Sequence, residues 1–215
     1  MKSKDMAGIR REYHSPPLNE AEMFSDPYDQ FDQWFSIALD TPKIMDPTAA
    51  ALATADKQAN PSVRIVLIKG VTHRGFTLFT NYESQKSKDL FENPFASLLF
   101  FWDVLHQQIR IEGTVSALSR TDSELYFHSR PFESQIMAHV SEQSQIIENR
   151  IELDSQFEKL CQRYRGLEVP LPENWGGFLL EPSYFEFWQG QPNRLHDRIF
   201  YRRKATDWER GRLAP

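Results

Sequence analysis

The spacing of apolar residues changes several times along the chain, and each change predicts an element. Residues 1–25 are polar, and Pro16-Pro17 breaks any helix there. Asp26-Pro27 then supplies a helix start, an acidic N-cap followed by proline at the first helical position. Phe31, Trp34, Phe35, Ala38 and Leu39 recur at three- and four-residue intervals, one buried stripe that ends at Thr41-Pro42. From Ala49 the period falls to two. Ala49–Ala55 predicts a small-residue strand, 56–61 a turn, and 62–70 a β run containing Val63, Ile65, Val66, Leu67 and Ile68. So continuous an apolar run predicts burial on both faces, with Arg64 and Lys69 at its ends on opposite sides. Each cation then needs an anion of its own or a path to water along its stem. His73-Arg74-Gly75 turns the chain into a strand over 76–81, and 84–93 predicts a short helix that starts at Ser84 and stops at Pro94. Strands 96–102 and 107–118 follow on either side of Asp103-Val104. In the second of these, Ile109, Ile111, Gly113 and Val115 alternate with Gln108, Arg110 and Glu112.

The pattern then turns helical. Thr121-x-x-Glu124 reads as a capping box opening a helix through Tyr126 and His128. Ser129-Arg130-Pro131 interrupts it, and Phe132–Val140 predicts a second helix. Residues 140–144 lead into a third, running to about Arg165 and closed by Gly166. Trp175-Gly176-Gly177-Phe178 restarts the sheet, which runs on to Trp208. Six β runs after one long helix predict a mainly β fold with helices (α+β), a closed or nearly closed antiparallel barrel. It forms one domain over 26–215 behind a mobile arm, 1–25. Within the closing strands, 186–201 reads as strand, Gly/Pro/Asn turn, strand. Strand parity puts Arg194, His196 and Arg198 on one face, with Leu195, Asp197 and Ile199 on the other. Two readings fit: cations facing something anionic or electron-rich, or a solvated hairpin face partnered by Asp197 and Glu186.

Net charge and cysteine usage narrow the partners. At −5 net charge, generic nucleic-acid binding through a basic surface is excluded, so any phosphate recognition must come from locally concentrated Arg and Lys. The single cysteine, Cys161, excludes an intrachain disulfide and a multi-cysteine metal site and suits a reducing cytosol. No apolar run approaches the roughly 20 residues of a membrane span, and the N-terminus lacks a signal peptide's apolar core. A soluble, cytoplasmic protein is expected, with no metal, nucleic-acid or membrane partner. There is no GxGxxG, P-loop, HExxH or GxSxG. What remains is a scatter of phosphate donors among aromatic residues. The helix start at Ser84 beside Lys86 is a candidate phosphate cradle. Tyr126, Arg130 and Ser134, four apart, would share a face of unbroken helix as phosphate donors or as a surface trio. By themselves these residues reach a binder of phosphorylated, planar small molecules.

Trp188-Gln189-Gly190, the run Arg194-Leu195-His196-Asp197-Arg198 and the closing Arg212-Leu213-Ala214-Pro215 resemble the C-terminal signature of the pyridoxamine (pyridoxine) 5′-phosphate oxidases. The resemblance extends back to Arg10-Arg11-Glu12-Tyr13, nearly the whole chain. It implies an FMN-binding split β-barrel, homodimeric, with the flavin at the subunit interface. It also implies oxidation of pyridoxamine or pyridoxine 5′-phosphate by dioxygen to pyridoxal 5′-phosphate and peroxide, by hydride transfer from C4′ to flavin N5. By the same resemblance Arg64, Ile65, Val66, Leu67, Phe79, Thr80, Gln85, Lys86, Gln108, Gln143, Ser144, Trp188 and Arg198 match FMN contacts. Lys69, Tyr126, Arg130 and Ser134 match donors to the substrate phosphate. Arg194 and His196 match the catalytic pair over the pyridine ring, with Leu195 between them, and Arg10, Arg11, Glu12 and Tyr13 match possible arm contacts. One position departs: the family's Ser-Arg-Lys motif is here Ser84-Gln85-Lys86, one charge short. Three other readings stay open: a split-barrel flavin enzyme acting on another substrate such as a phenazine precursor, a non-catalytic carrier of pyridoxal phosphate or FMN, and a purely structural barrel with no chromophore.

Overall fold

The computed structural model describes residue 8 and residues 12–215; Arg10 and Arg11 lie outside that range. Helix α1 (Pro27–Leu39) begins where expected, with the Asp26 carboxylate accepting from the Tyr28 N–H at 2.8 Å. The strands are β1 (Ala49–Ala55), β2 (Pro61–Leu67), β3 (Gly70–Thr72), β4 (Gly75–Asn81), β5 (Phe95–Trp102), β6 (Gln107–Ala117), β7 (Trp175–Gln189), β8 (Asp197–Arg203) and β9 (Trp208–Arg212). Helix α2 (Gln85–Glu92) separates β4 from β5, while α3 (Arg120–Ser129), α4 (Phe132–Val140) and α5 (Arg150–Arg163) separate β6 from β7. The nine strands hydrogen-bond in the order β2-β1-β5-β6-β7-β4-β3, with β8 on β7 and β9 on β8. The pairs β3–β4, β4–β7, β7–β8 and β8–β9 are antiparallel. Among the described residues no helix is long and apolar enough to cross a membrane.

The chain forms two compact units, and β1, β5, β6 and β7 run on from one into the other. The first comprises the described residues up to Ala50, Leu98–Glu112 and Ser183–Pro215. Its core is aromatic: Trp34 of α1 meets Phe187 edge-on at 5.3 Å, Phe31 meets Phe100 at 5.3 Å, and Tyr28 meets Phe185 at 5.3 Å. The second comprises Ala51–Ser97 and Gly113–Pro182. Here α3, α4 and the 169–175 connector bury Phe127, Ile136, Val140, Val169, Leu171 and Trp175, with Phe157 and Cys161 of α5 packed against them. Gly113 has a local reason, since a Cβ there would lie 2.1 Å from the Glu181 carbonyl oxygen.

Four local expectations are corrected. The 62–70 run is not one buried strand. β2 stands at the end of the strand order, and Val63, Ile65 and Leu67 are 69%, 67% and 40% exposed because no element among the described residues covers that face. The run also breaks after Leu67, where the Lys69 N–H turns to the Thr77 carbonyl at 2.8 Å, so strand parity does not relate Arg64 to Lys69. Helix α3 is capped by Ser119, whose Oγ accepts from the Asp122 N–H at 3.0 Å, not by Thr121. Helix α5 starts only at Arg150, because Asn149 caps it through the Glu152 N–H at 3.0 Å. Last, residues 190–196 are not a tight hairpin turn. A short 3₁₀ turn (Pro192–Arg194) intervenes, Asn193 and Arg194 adopt left-handed φ of 55° and 63°, and β8 begins only at Asp197. Arg194 and His196 therefore sit on a loop, outside the strand that carries Arg198.

Candidate active site

In the second unit a cavity of about 570 Å³ opens between β2, β4, α2 and the α3–α4 junction. Ile65, Val66, Leu67, Lys69, Phe79, Thr80, Lys86, Tyr126, Arg130, Ser134 and Gln143 all line it, eleven of the residues singled out from the sequence. Pro131 explains how two helices share one rim. A residue before proline is held extended, and Arg130 (φ −77°, ψ 152°) accordingly ends α3 and leaves α4 to start afresh. Tyr126 thus comes from one helix, Arg130 from the junction and Ser134 from the next, in place of one continuous face. Three cations, Lys69, Lys86 and Arg130, line the cavity, and no carboxylate does among the described residues.

Lys86 is buried on the first turn of α2, and its Nζ donates to Thr80 Oγ1 (3.0 Å), Ser84 Oγ (2.9 Å) and Gln143 Oε1 (3.0 Å). All three acceptors are neutral, so the charge is solvated by dipoles and is not cancelled. Burial first, and then the nearby Arg64 charge, pull its pKa down to about 8. Arg130 lies 4.7 Å over the Trp175 ring, and its buried Nη1 has no hydrogen-bond partner. An unmet buried guanidinium N–H costs about 1–3 kcal/mol or more, which marks a place for an acceptor that the described residues do not supply. Phe79 stacks on Tyr126 at 3.8 Å and on Trp175 at 5.7 Å, a flat aromatic wall.

Other predicted residues are placed elsewhere. The Arg64 guanidinium is held by the Leu52 carbonyl (3.1 Å), Thr54 Oγ1 (2.7 Å) and Ser62 Oγ, and it pairs with Asp89 at 3.8 Å. Gln85 is exposed and gives its side-chain amide to Asp89 Oδ1 at 2.7 Å, while its backbone N–H meets Ser144 Oγ at 3.3 Å. Buried Asp89 thus competes for both residues, a role that its place in an ordinary helical sequence did not reveal. Trp175, Asn81, Met137 and Ser141 also line the cavity and were not anticipated. Trp175 could have been suspected from an aromatic residue set directly before Gly176-Gly177.

Gln108, Trp188, Arg194, Leu195, His196 and Arg198 belong to the first unit. Arg194 and Leu195 are exposed on the 190–196 loop. His196 packs on Trp188 (4.8 Å) and lies 5.7 Å from the Tyr13 ring, which also meets His106 at 4.8 Å. The Gln191 N–H donates to His196 Nδ1 at 3.0 Å, so the neutral ring carries its proton on Nε2. Burial and the adjacent Arg194 charge lower the His196 pKa against the opposite pull of Asp197, favouring that neutral form. On the paired strands Trp188 stands opposite Arg198. Glu186, 3% exposed, receives Arg198 Nε at 2.8 Å and Arg110 Nη2 at 2.6 Å. Burial pushes the Glu186 carboxyl up, but these two hydrogen bonds outweigh it and its pKa falls below the ordinary value. Glu12 is exposed, 3.8 Å from His14.

Comparison with known proteins fits this arrangement. The sequence model of pyridoxamine 5′-phosphate oxidase matches residues 42–163, and that of the pyridoxine 5′-phosphate oxidase C-terminal dimerisation region matches residues 175–215. The chain is 46% identical over 210 residues to a pyridoxine/pyridoxamine 5′-phosphate oxidase of Cyanothece sp., covering 98% of each chain. It is 47% identical over 213 residues to the Burkholderia lata protein of the same name, covering 98% of this chain and 99% of that one. Among solved structures, PhzG from Burkholderia lata 383, in complex with tetrahydrophenazine-1-carboxylic acid, matches with a TM-score of 0.87 at 30% identity. That match covers 94% of this chain and 99% of the other, and it makes the fold an α+β split barrel.

Proposed function

The chain belongs to the pyridoxine/pyridoxamine 5′-phosphate oxidase family and oxidises these vitamin B6 phosphates, and we propose that it does so with FMN, as a homodimer. The observation that carries the cofactor reading is the cavity with three cations and no carboxylate among its described lining residues. A phosphate monoester carries roughly −1.5 to −2 charges near neutral pH. One such group would leave the cavity positive, whereas two would absorb its charge. Two phosphorylated ligands, FMN and substrate, therefore suit it better than one.

Lys86, Thr80 and Gln143 would hold the FMN phosphate, with the backbone of Ile65, Val66 and Leu67 and the Phe79 ring along the flavin. Arg64 acts there through its field on Lys86, and Gln85 with Ser144 braces the helix start. Lys69, Tyr126, Arg130 and Ser134 would grip the substrate phosphate, the unmet Arg130 Nη1 finding its acceptor there. The first-unit set of Gln108, Trp188, Arg194, Leu195, His196 and Arg198 would complete the site on a second copy of the chain. The match of 175–215 to a dimerisation region and the uncovered stripe on β2 support that pairing. FMN held there would supply the redox chemistry that links oxidation of the substrate C4′ to reduction of dioxygen. The residues of the chain bind and orient the two rings. His196, protonated on Nε2, serves as a hydrogen-bond donor to the substrate ring and not as a base, and Arg194 adds positive charge beside it. The lone Cys161 fits a reducing, cytoplasmic setting.

A phenazine precursor is the weaker substrate reading, because identity to two Burkholderia lata proteins falls from 47% for the B6-phosphate oxidase to 30% for PhzG. The test is direct. Purified protein supplied with pyridoxine 5′-phosphate should form pyridoxal 5′-phosphate and peroxide in equal amounts, and acid extraction should release FMN. FAD in the extract, or no flavin retained after incubation with FMN, would remove the cofactor assignment. Ligand binding without peroxide would make the chain a carrier.

A further inference from the structure

We infer that Gln191 is a positioning residue that fastens the N-terminal segment beside His196; the inference rests on the B6-phosphate oxidase reading above. Residues 15–19 form no helix or strand before a single 3₁₀ turn (Glu20–Glu22), so their backbone polar groups need partners from elsewhere. Three side chains supply them. The Pro16 carbonyl accepts from Gln191 Nε2 at 3.0 Å, and the Leu18 N–H donates to Asp197 Oδ2 at 3.0 Å. The Leu18 carbonyl accepts from Arg212 Nη2 at 2.6 Å, and Arg212 grips the Glu20 carboxylate at 2.6 and 2.9 Å.

Gln191 is the hinge pin of this set. Its second amide proton goes to Asp197 Oδ2 at 3.0 Å, so one side chain joins the segment to the residue that opens β8. Gln191 and Asp197 are each 9% exposed, and such buried polar groups are held only where their bonds are made. The backbone N–H of Gln191 meanwhile fixes His196 Nδ1 as an acceptor. Pinning Pro16 confines what precedes it. Three extended residues reach at most about 11 Å, which keeps Tyr13 near its seat against His106, Trp188 and His196. Gly190 clears that seat, since a Cβ there would come within 2.7 Å of Tyr13 Cγ. Side chain and backbone of one residue thus set the position of Tyr13 and the tautomer of His196.

The two roles separate experimentally. Gln191→Met keeps the volume and the backbone N–H but removes both side-chain donors. In the FMN-loaded enzyme we expect KM for pyridoxine 5′-phosphate to rise about five- to tenfold, the loss of one to two net hydrogen bonds, with kcat within about twofold. Hydrogen exchange at the Leu18 amide should speed up at least about tenfold, while FMN content stays at the wild-type level. Wild-type KM with unchanged Leu18 exchange overturns the proposal, and loss of FMN or of the folded state would make Gln191 a structural brace only. If Gln191→Met does not fold, Gln191→Ala is judged by the same three readings. Failure of the wild-type protein to turn over pyridoxine 5′-phosphate, with faster Leu18 exchange in the variant, would sink the underlying reading but not the fastening.

Discussion

Lys86 brings a charge into a buried position and meets only neutral oxygens there. With its pKa lowered to about 8 by burial and by Arg64, a phosphate placed against it must raise that value again. FMN binding should therefore take up protons at about pH 9, scarcely any at about pH 6.5, and weaken as pH climbs above about 8. Calorimetry in buffers of different ionisation heat measures this, and equal heats at the higher pH would show that no phosphate reaches Lys86. Lys69 and Arg194 should fail differently. Lys69 lines the cavity, and as the proposed donor to the substrate phosphate it would act away from the reacting carbon, so Lys69→Ala should raise KM and leave kcat nearly intact. Arg194→Ala should misplace the substrate ring and lower kcat on the order of 100-fold with FMN retained; steady-state assays distinguish the two, and wild-type kinetics would return Arg194 to plain solvent. Of the eleven sequence-named residues that line the cavity, Lys86, Tyr126, Arg130 and Ser134 show their donor chemistry at readable spacings, whereas Phe79, Thr80 and Gln143 came only through the family motifs. Arg64 and Gln85 lie against Asp89 instead. The Asp89 carboxylate that draws both comes from one turn of a helix whose inward face cannot be read from composition.

At the level of elements, legibility followed how local the determining chemistry is. Helix α1 has its cap, its proline and its stripe within one stretch of sequence, and β6 shows its alternation directly, Ile109 and Ile111 buried against half-exposed Gln108 and Arg110. The 190–196 loop defeated parity because two left-handed residues, Asn193 and Arg194, break the assumption on which parity rests. β2 defeated the burial rule because it ends the strand order and none of the described residues covers its Val63, Ile65 and Leu67 face. Close backbone approach was also invisible in the sequence, and Gly113 tests it. A Cβ there meets the Glu181 carbonyl oxygen at 2.1 Å, and the two segments can give way only by shifting backbone. Gly113→Ala should cost about 1–3 kcal/mol and lower Tm by several degrees in a thermal melt. An unchanged Tm would mean that the segments separate freely there.

As a whole the molecule carries −5 net charge, yet it concentrates Lys69, Lys86 and Arg130 in one cavity. Bulk charge therefore misrepresents what its ligands meet, and kcat/KM for a phosphorylated substrate should fall with added salt. Assembly was legible only through family resemblance, because a partner's surface leaves no periodicity in the sequence that receives it. The Val63, Ile65 and Leu67 stripe, 40–69% exposed, makes it testable: Ile65→Asp should turn a dimer into a monomer in sedimentation velocity and release flavin with it. A stable, flavin-loaded monomeric wild type would refute the proposed pairing. Met137 sets a different limit, on working life. Its thioether borders a cavity in which every turnover would release hydrogen peroxide. Peroxide converts a thioether to a sulfoxide with loss of water, turning a pliant apolar side chain into a polar one. The enzyme should thus wear out in proportion to the product it has made and not to the hours elapsed. Catalase or a Met137→Leu substitution should lengthen its service, and mass spectrometry of spent enzyme should find the added oxygen on that residue.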